Sequence, residues 1–370
     1  MRIVVTGADG FVGKNLIVRL SERGRDEVRA ITRATTAVDR RDALLHADVL
    51  VHLAGVNRPK DEHEYEAGNA DLTERLCAEI RALDRALPVV FSSSAQAVRD
   101  NPYGRSKRAA EQALERYAEE TGAPVAVARL WNVFGKWSRP NYNSVVATFC
   151  HNIARGLPIS IVDPATPLNL MYIDDVVDGM LALVDSLVDH RGFVELAPVH
   201  ATTVGAVAAT IDGFAEGRRT RDIADVGEGL TRALYATYVS FLPPQSFAYA
   251  LTRHEDARGV FAEIIRTRTS GQFSMFTAHP GVTRGGHYHH TKTEKFLVVR
   301  GRARFGFRHV LTGERVDLDV TAEESRVVET VPGWIHDITN TGTEEMIVLL
   351  WANEAFDPER PDTIAATVRV

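Results

Sequence analysis

A short apolar strand that breaks into three spaced glycines constrains this chain more than any other feature. The sequence opens RIVVTGADGFVG, so Gly7, Gly10 and Gly13 fall between a buried-strand pattern and a segment, NLIVRLSERG, with apolar residues at helical spacing. A tight turn, a close backbone approach to a bound group and a close helix–strand contact each exclude a β-carbon. A helix starting there presents unpaired N–H groups, which suit the pyrophosphate of a dinucleotide. An unrelated glycine-rich turn is the competing reading, and the strand–turn–helix context disfavours it.

The same alternation continues. EVRAITR, DVLVHLAG, LPVVFSSS and APVAVARLWNVFG read as further strands, with helical patterns such as LTERLCAEIRAL between them. Strands alternating with helices imply right-handed βαβ crossovers and an α/β, Rossmann-like, doubly wound parallel sheet. After the second strand stands Arg33, where an NAD enzyme places an acidic residue on the ribose 2′-hydroxyl. An arginine accommodates a 2′-phosphate instead, so the sequence favours NADPH, unless Arg33 is only a surface residue.

Tyr103 and Lys107 lie four apart in NPYGRSKRAAEQALERY, on one face of an expected helix. A free phenol titrates near ~10. A nearby ammonium favours the phenolate, which would let Tyr103 exchange a proton with a hydroxyl or carbonyl. Of the serines ending the fourth strand, Ser94 is the expected partner that orients a carbonyl oxygen.

The pieces TGADGFVG, VLVHLAG, FSSSAQA, YGRSK, RLWNVFG and MYIDDVVDG resemble the extended short-chain dehydrogenase/reductase family of nucleotide-sugar enzymes. The resemblance implies that Ser94 joins Tyr103 and Lys107 in catalysis. It implies cofactor contacts from Gly7, Gly10, Phe11, Val12, Gly13, Arg33, Leu53, Ala54, Gly55, Tyr103 and Lys107. It also places Arg129 and Asn132 by the nucleotide sugar, although a turn hydrogen bond is an alternative role for Asn132. Two departures stand out. Only eight residues separate Ser94 from Tyr103, so the loop over the substrate is short. VNRP follows HLAG, which puts Asn57 and Arg58 near the nicotinamide or substrate in a role the family pattern does not settle.

The character of the chain changes at SFLPPQSFAYAL. Two prolines end a helix expected from about Asp222 to Phe241, which sets a boundary between residues 1–243 and 244–370. Beyond it, FAEIIRT, QFSMFTA, EKFLVVRG, ARFGFRHVL, ERVDLDV and EMIVLLWAN alternate at strand period, as in an all-β barrel or jelly roll.

This second region contains GVTRGGHYHHTKTEKFLVVRG. His287 and His289 are two apart and can share a strand face, Glu294 opens the return strand, and VPGWIHDITN adds His336. Three imidazoles and a carboxylate suit zinc or another divalent transition metal. Both spacings resemble the metal-binding motifs of the cupin superfamily, which implies His287, His289, Glu294 and His336 as ligands. The second motif lacks its leading glycine. His290 turns to the other face, and His309 is either a packed residue or part of the cavity wall.

A reductase joined to a cupin resembles the bifunctional enzymes of capsular polysaccharide synthesis over nearly the whole chain. That likeness implies a homodimer acting on a UDP-sugar. The cupin would epimerise a UDP-4-keto-6-deoxy-N-acetylhexosamine at C-3, and the N-terminal domain would reduce the C-4 ketone with NADPH. Lys295, His309 and Tyr288 are candidate bases. A single-activity reductase with a structural, dimerising cupin is the rival; a sensor that has lost catalysis fits poorly with Ser94, Tyr103 and Lys107 all present.

Composition excludes other classes. A net charge of −6 without a basic stripe leaves no nucleic-acid footprint. The GRRTR cluster ending at Arg221 reads as a solvated surface turn. No apolar run approaches the roughly 20 residues of a membrane span. Met1 leads straight into a strand, and Cys77 and Cys150 are the only cysteines, so reduced thiols and a cytoplasmic enzyme are expected.

Overall fold

The β-branched runs of the N-terminal region form a six-stranded parallel sheet. Its order is Glu27–Ile31, Arg2–Thr6, Val49–His52, Val89–Ser94, Val125–Leu130, Gly192–Val194. The computed structural model describes residues 1–186, 191–359 and 361–369. From Arg2–Thr6 the chain first steps outward to Glu27–Ile31, then recrosses to Val49–His52. Strand order therefore reverses beside Thr6, and ligands of such sheets lie outside the carboxyl ends of the strands at that reversal.

Helices Phe11–Arg23, Ala37–His46, Asp71–Arg81 and Pro102–Thr121 connect these strands. Leu44, Leu50, Ile80, Leu114 and Tyr117 form part of the core between the sheet and its helices. The helix carrying Tyr103 is placed by its first residues. Asn101 accepts from the Gly104 N–H at 2.7 Å and Pro102 pre-sets the first turn, so Tyr103 sits at the helix mouth.

APVAVARLWNVFG supplies two strands rather than one. Val125–Leu130 joins the large sheet, whereas Asn132–Phe134 pairs with Pro167–Tyr172, itself antiparallel to His200–Thr203. The helix expected from Asp222 begins later, at Gly229, and runs to Ser240. Asp222–Ile223 instead pair with Arg266–Thr267. Arg221 and Gly229 both take left-handed backbone conformations, which break the helical path. Arg218 and Arg219 end the helix Val204–Thr220 rather than forming a solvated turn. Arg218 lies 4.6 Å from the Tyr249 ring centroid, and Arg221 donates to buried Glu263 at 3.0 Å.

The chain divides into two units, Met1–Asp212 with Gly227–Pro243, and Gly213–Val226 with the chain from Pro244 onward. The second is the expected cupin-type, all-strand region. One sheet runs Asp222–Ile223, Gly259–Thr267, Gln272–Ala278, Met346–Ala352, Glu294–Arg300, Val327–Glu329, with Arg253–Asp256 on Gly259–Thr267. The other runs Arg315–Thr321, Arg302–His309, Trp334–Asn340, Thr283–Tyr288, Ile364–Ala365. Phe276, Phe296, Phe305, Ile338 and Val348 belong to a single core cluster. Among the described residues no helix is long and apolar enough to cross a membrane.

His52 ties the reversal point together. Its Nδ1 bonds to Thr6 Oγ1 at 2.7 Å and its Nε2 to Thr73 Oγ1 at 3.0 Å, with no exposed surface. Burial, helped by the charge of Lys107, lowers its pKa to about 3. The unfolded chain then binds more protons than the folded one between that value and the ordinary imidazole range near ~6.5, so stability falls as pH falls through this window. Denaturant titrations should show wild type losing about 2 kcal/mol more than His52→Gln between about pH 7 and about pH 5. Equal losses would show that His52 does not titrate on unfolding.

Candidate functional site

At the reversal point the first strand's turn is pressed against the loop after the third. Gly7 has φ +67°, and a β-carbon there would sit 2.7 Å from the Ala54 nitrogen. The Gly10 N–H donates to Gly7 O at 2.9 Å, and a β-carbon on Gly13 would lie 2.2 Å from that same oxygen. No side chain caps the helix that Phe11 and Val12 open, so its first N–H groups face outward for an anion. Leu53 and Ala54 hang from Thr6: the Leu53 N–H meets Thr6 O and the Ala54 N–H meets Thr6 Oγ1, both at 3.3 Å. Gly55 follows, and Arg33 stands exposed in the turn after Glu27–Ile31.

Ser94, Tyr103 and Lys107 are brought together at the ends of the fourth strand and the helix beside it. The Ser94 hydroxyl acts on the Tyr103 phenol, whose pKa it lowers, and Ser94 Oγ accepts from the Gln96 N–H at 3.1 Å. Lys107 is buried. Its Nζ donates to Ser92 O at 2.7 Å and lies 4.4 Å from the Phe91 ring centroid. Burial lowers its pKa to about 8, with Glu111 pulling the other way. Burial pushes the Tyr103 phenol up, the Ser94 hydroxyl opposes this in part, and Lys107 commits one of its three N–H groups to the Ser92 carbonyl. Tyr103 thus holds a proton ready for an oxygen that needs one.

Two residues at this centre escaped sequence reasoning. Asn69 accepts from the Val56 N–H and donates to Val56 O and Ser106 Oγ, all at 2.9 Å, so it pins the loop after HLAG to the Tyr103 helix. It sits in a π-turn, Glu66–Ala70, a local widening that no apolar periodicity reports. Tyr65 packs at 5.6 Å from Tyr103, ring centroid to ring centroid.

Arg129 does not join the centre. Its guanidinium grips buried Glu111 at 3.0 and 2.7 Å and lies 4.1 Å from the Phe193 ring centroid, so its fork is engaged within the framework. Ser93 donates to the same carboxylate. Asn132 is exposed and donates to Asn169 O at 3.2 Å. Asn57 is exposed as well, and Arg58 donates to the Tyr142 carbonyl.

In the second unit, one ligand atom from each of His287, His289, Glu294 and His336 falls within 4.8 Å of the others. A bulge between Gly285 and His287 sets His287 opposite His336, and Gly285 and Gly286 hold the positive φ values it requires. His289 follows the strand's end and Glu294 begins the next strand. Glu294 Oε2 lies 3.3 Å from both His289 Nε2 and His336 Nε2, and Lys292 Nζ lies 3.7 Å from Oε1. Burial resists ionising Glu294, yet the His289 hydrogen bond, the neighbouring His336 ring and the Lys292 charge hold it well below the usual carboxylate range. Burial, with His336 beside it, lowers His287 to about 4 and keeps that ring a neutral donor.

The residues present fit a divalent transition metal. His336 Nε2 is enclosed without a well-aligned hydrogen-bond partner, as expected of a ligand atom reserved for an ion. His289 Nδ1 bonds to the Asp362 carbonyl and His336 Nδ1 to Trp334 O at 3.4 Å, which leaves both Nε2 atoms facing the cluster. The Asp362 carboxylate accepts the backbone N–H groups of His290, Thr291 and Lys292 at 2.7–3.1 Å, fixing the loop between the second and third ligands. His290 itself is exposed and outside the cluster.

A cavity of about 140 Å³ opens beside the cluster, lined by His287, Glu294 and His336 with Arg284, Phe276, Phe296, Phe305 and Phe307 among its walls. None of the candidate bases lines it. Lys295 is exposed and paired with Glu329, Tyr288 packs on His290, and His309 stacks on Trp334 while its Nδ1 accepts from Leu311 and Thr312.

Residues 3–194 match the NAD dependent epimerase/dehydratase family, and residues 254–364 match the polysaccharide biosynthesis C-terminal domain. The chain is 52% identical over 368 residues to the UDP-2-acetamido-2,6-beta-L-arabino-hexul-4-ose reductase of Pseudomonas aeruginosa, across 100% of this chain and 99% of that protein. A crystal structure of the capsular polysaccharide assembling protein CapF from Staphylococcus aureus superposes with a TM-score of 0.93 at 40% identity, over 99% of this chain and 100% of the other. UDP-glucose 4-epimerase from Thermus thermophilus in complex with NAD aligns with 67% of the chain and all of its own length, at a TM-score of 0.54 and 18% identity, which speaks to fold alone.

Elemental analysis after dialysis against a weak chelator should show metal retained by wild type and lost from His336→Ala and Glu294→Gln. Asp362→Ala should weaken retention by about 10- to 100-fold by freeing the loop between His289 and Glu294. His309→Ala should leave it unchanged.

Proposed function

Because the chain belongs to the NAD dependent epimerase/dehydratase family, as a nucleotide-sugar reductase/epimerase of polysaccharide biosynthesis, we propose that it performs two steps on one keto sugar. The second unit epimerises a UDP-4-keto-6-deoxy-N-acetylhexosamine at C-3. The first unit then reduces the C-4 ketone with NADPH. The product is UDP-2-acetamido-2,6-dideoxy-L-talose, on the route to UDP-N-acetyl-L-fucosamine, and the working form is a homodimer. The observation that carries this reading is one chain holding both a protonated phenol beside a dinucleotide turn and a buried His/Glu cluster beside an apolar cavity.

In the reduction, the first helix's N-terminus and the glycine turn bind the pyrophosphate, and Arg33 takes the 2′-phosphate. Ser94 orients the C-4 carbonyl. As hydride reaches C-4, the oxygen gains charge and Tyr103 delivers its proton there. Lys107, held by Ser92 O, binds the ribose.

For the epimerisation, the C-3 hydrogen is acidic because its carbanion delocalises into the neighbouring ketone. A divalent ion such as zinc, held by His287, His289, Glu294 and His336, would supply Lewis-acid stabilisation of that oxygen when bound. The phenylalanine walls exclude water, which strengthens every polar contact made inside. Epimerisation is reversible, and irreversible reduction of one epimer draws the equilibrium forward. The second reading, a reductase with a structural metal site, is favoured by the count of four protein ligands, typical of closed zinc sites.

Separable damage tests the division of labour. Tyr103→Phe should lower NADPH consumption about 10²- to 10⁴-fold yet leave solvent deuterium entering at C-3, followed by NMR of the sugar in heavy water. His289→Ala should stop deuterium entry at C-3 yet still consume NADPH when supplied with the C-3-epimerised ketone. Loss of both activities from either folded variant would refute two separate centres. For the cofactor, Arg33→Ala should raise the NADPH dissociation constant about 10- to 100-fold and leave NADH unaffected. Equal effects on both would remove the 2′-phosphate role.

A further inference from the structure

We infer that Arg284 donates the hydrogen bond that holds the oxyanion developing on the sugar's C-4 oxygen during C-3 epimerisation, an inference that rests on the function proposed above. Arg284 lies on Thr283–Tyr288 opposite Ile338, a core residue 4% exposed, and so shares the inward face of the sheet. It lines the same cavity as His287, Glu294 and His336. The register gives the spacing: Arg284 faces Ile338 and His287 faces His336, two residues along the partner strand, a step of about 6.6 Å.

The guanidinium is held but not neutralised. Its Nε donates to Thr277 O at 2.9 Å, and its carbon lies 5.3 Å from the Phe276 ring centroid. Nη2 is enclosed and has no hydrogen-bond partner. The acid whose charge it feels, Asp256, is itself bound by Arg258 at 2.6 Å. A half-buried cation without its own carboxylate is costly, so the arrangement is suited to a negative charge that arrives with the ligand.

The cavity selects the kind of charge. A diphosphate brings several oxygens and needs several donors, whereas this space of about 140 Å³ offers one guanidinium, and the carboxylates of Glu294 and Asp337 on its walls disfavour a large anion. A sugar ring with one developing oxyanion matches that supply. The electrons balance without a further reactant. A base takes the C-3 proton, the C–H pair becomes the C3=C4 bond, and the carbonyl π pair moves onto oxygen beside Arg284. Return of that pair forms a new C–H bond with a proton on the opposite face.

Arg284→Met should lower kcat for deuterium entry at C-3 about 10²- to 10³-fold with little change in KM, since the charge exists only during the step. NADPH-dependent reduction of the C-3-epimerised ketone and metal content should stay at wild-type levels, and Arg284→Lys should recover part of the rate. A raised KM with kcat intact would mean that Arg284 binds a permanent anion and would overturn the assignment. A parallel loss of metal would overturn it too, by making the residue a support for the cluster. A second measurement needs no turnover: metal-loaded wild type should bind 4-nitrophenol as the coloured phenolate at lower pH than Arg284→Met or Arg284→Lys. If wild type exchanges no C-3 hydrogen, the epimerase reading falls, while the phenolate titration still decides whether Arg284 holds an oxyanion. Identical titrations in wild type and both variants would rule that out.

Discussion

Both centres depend on taking ionisable groups out of water and answering each with a specific neighbour. Lys107 is buried and is met by Ser92 O and the Phe91 ring. Glu111, one turn further along the helix, is met by Arg129 and Ser93. Glu294 is met by two imidazoles and Lys292. Buried charges of this kind persist only when paired or hydrogen-bonded, and the pairing fixes side chains that an exposed site would leave free to turn. Arg284 is the exception, a half-buried cation whose enclosed Nη2 has no partner within the protein.

The features legible in the sequence are those written in local spacing. The glycine turn, the parallel strands, the Tyr103–Lys107 pair and the histidine cluster each lie within one or two elements, where period and steric need report directly. What escaped was set by partners distant in sequence. Nothing near Arg129 tells that Glu111 will claim it, since they meet only when a helix packs on the sheet. Asn69 acts through a π-turn, which interrupts the helical period that would have placed it. Arg284 reads as an ordinary strand residue until the opposite sheet closes the cavity around it. The helix expected from Asp222 failed for a local reason, because Asp222–Ile223 found a strand edge to pair with.

The environments of Tyr103 and the His/Glu cluster suit opposite proton tasks. Burial raises the phenol, so that it keeps a proton until an alkoxide calls for it. In the cluster, burial and crowding keep His287 neutral, while the imidazoles and Lys292 keep Glu294 ionised against its burial, a donor set that can accept a cation. A single ketone can use both, since the same carbonyl acidifies its neighbour and accepts hydride.

The brace on the metal loop has a consequence for how the site is assembled. Asp362 holds three successive N–H groups of the loop and the ring of His289, and Ile364–Ala365 pair with Tyr288 and His287. All four ligands precede this brace in the chain. A ribosome therefore emits the complete donor set well before the segment that locks it, and a nascent chain can meet metal only with a loose, exchangeable grip. Any ion the cluster holds would be gripped firmly only once Asp362 closes on the loop, so one met earlier would still exchange.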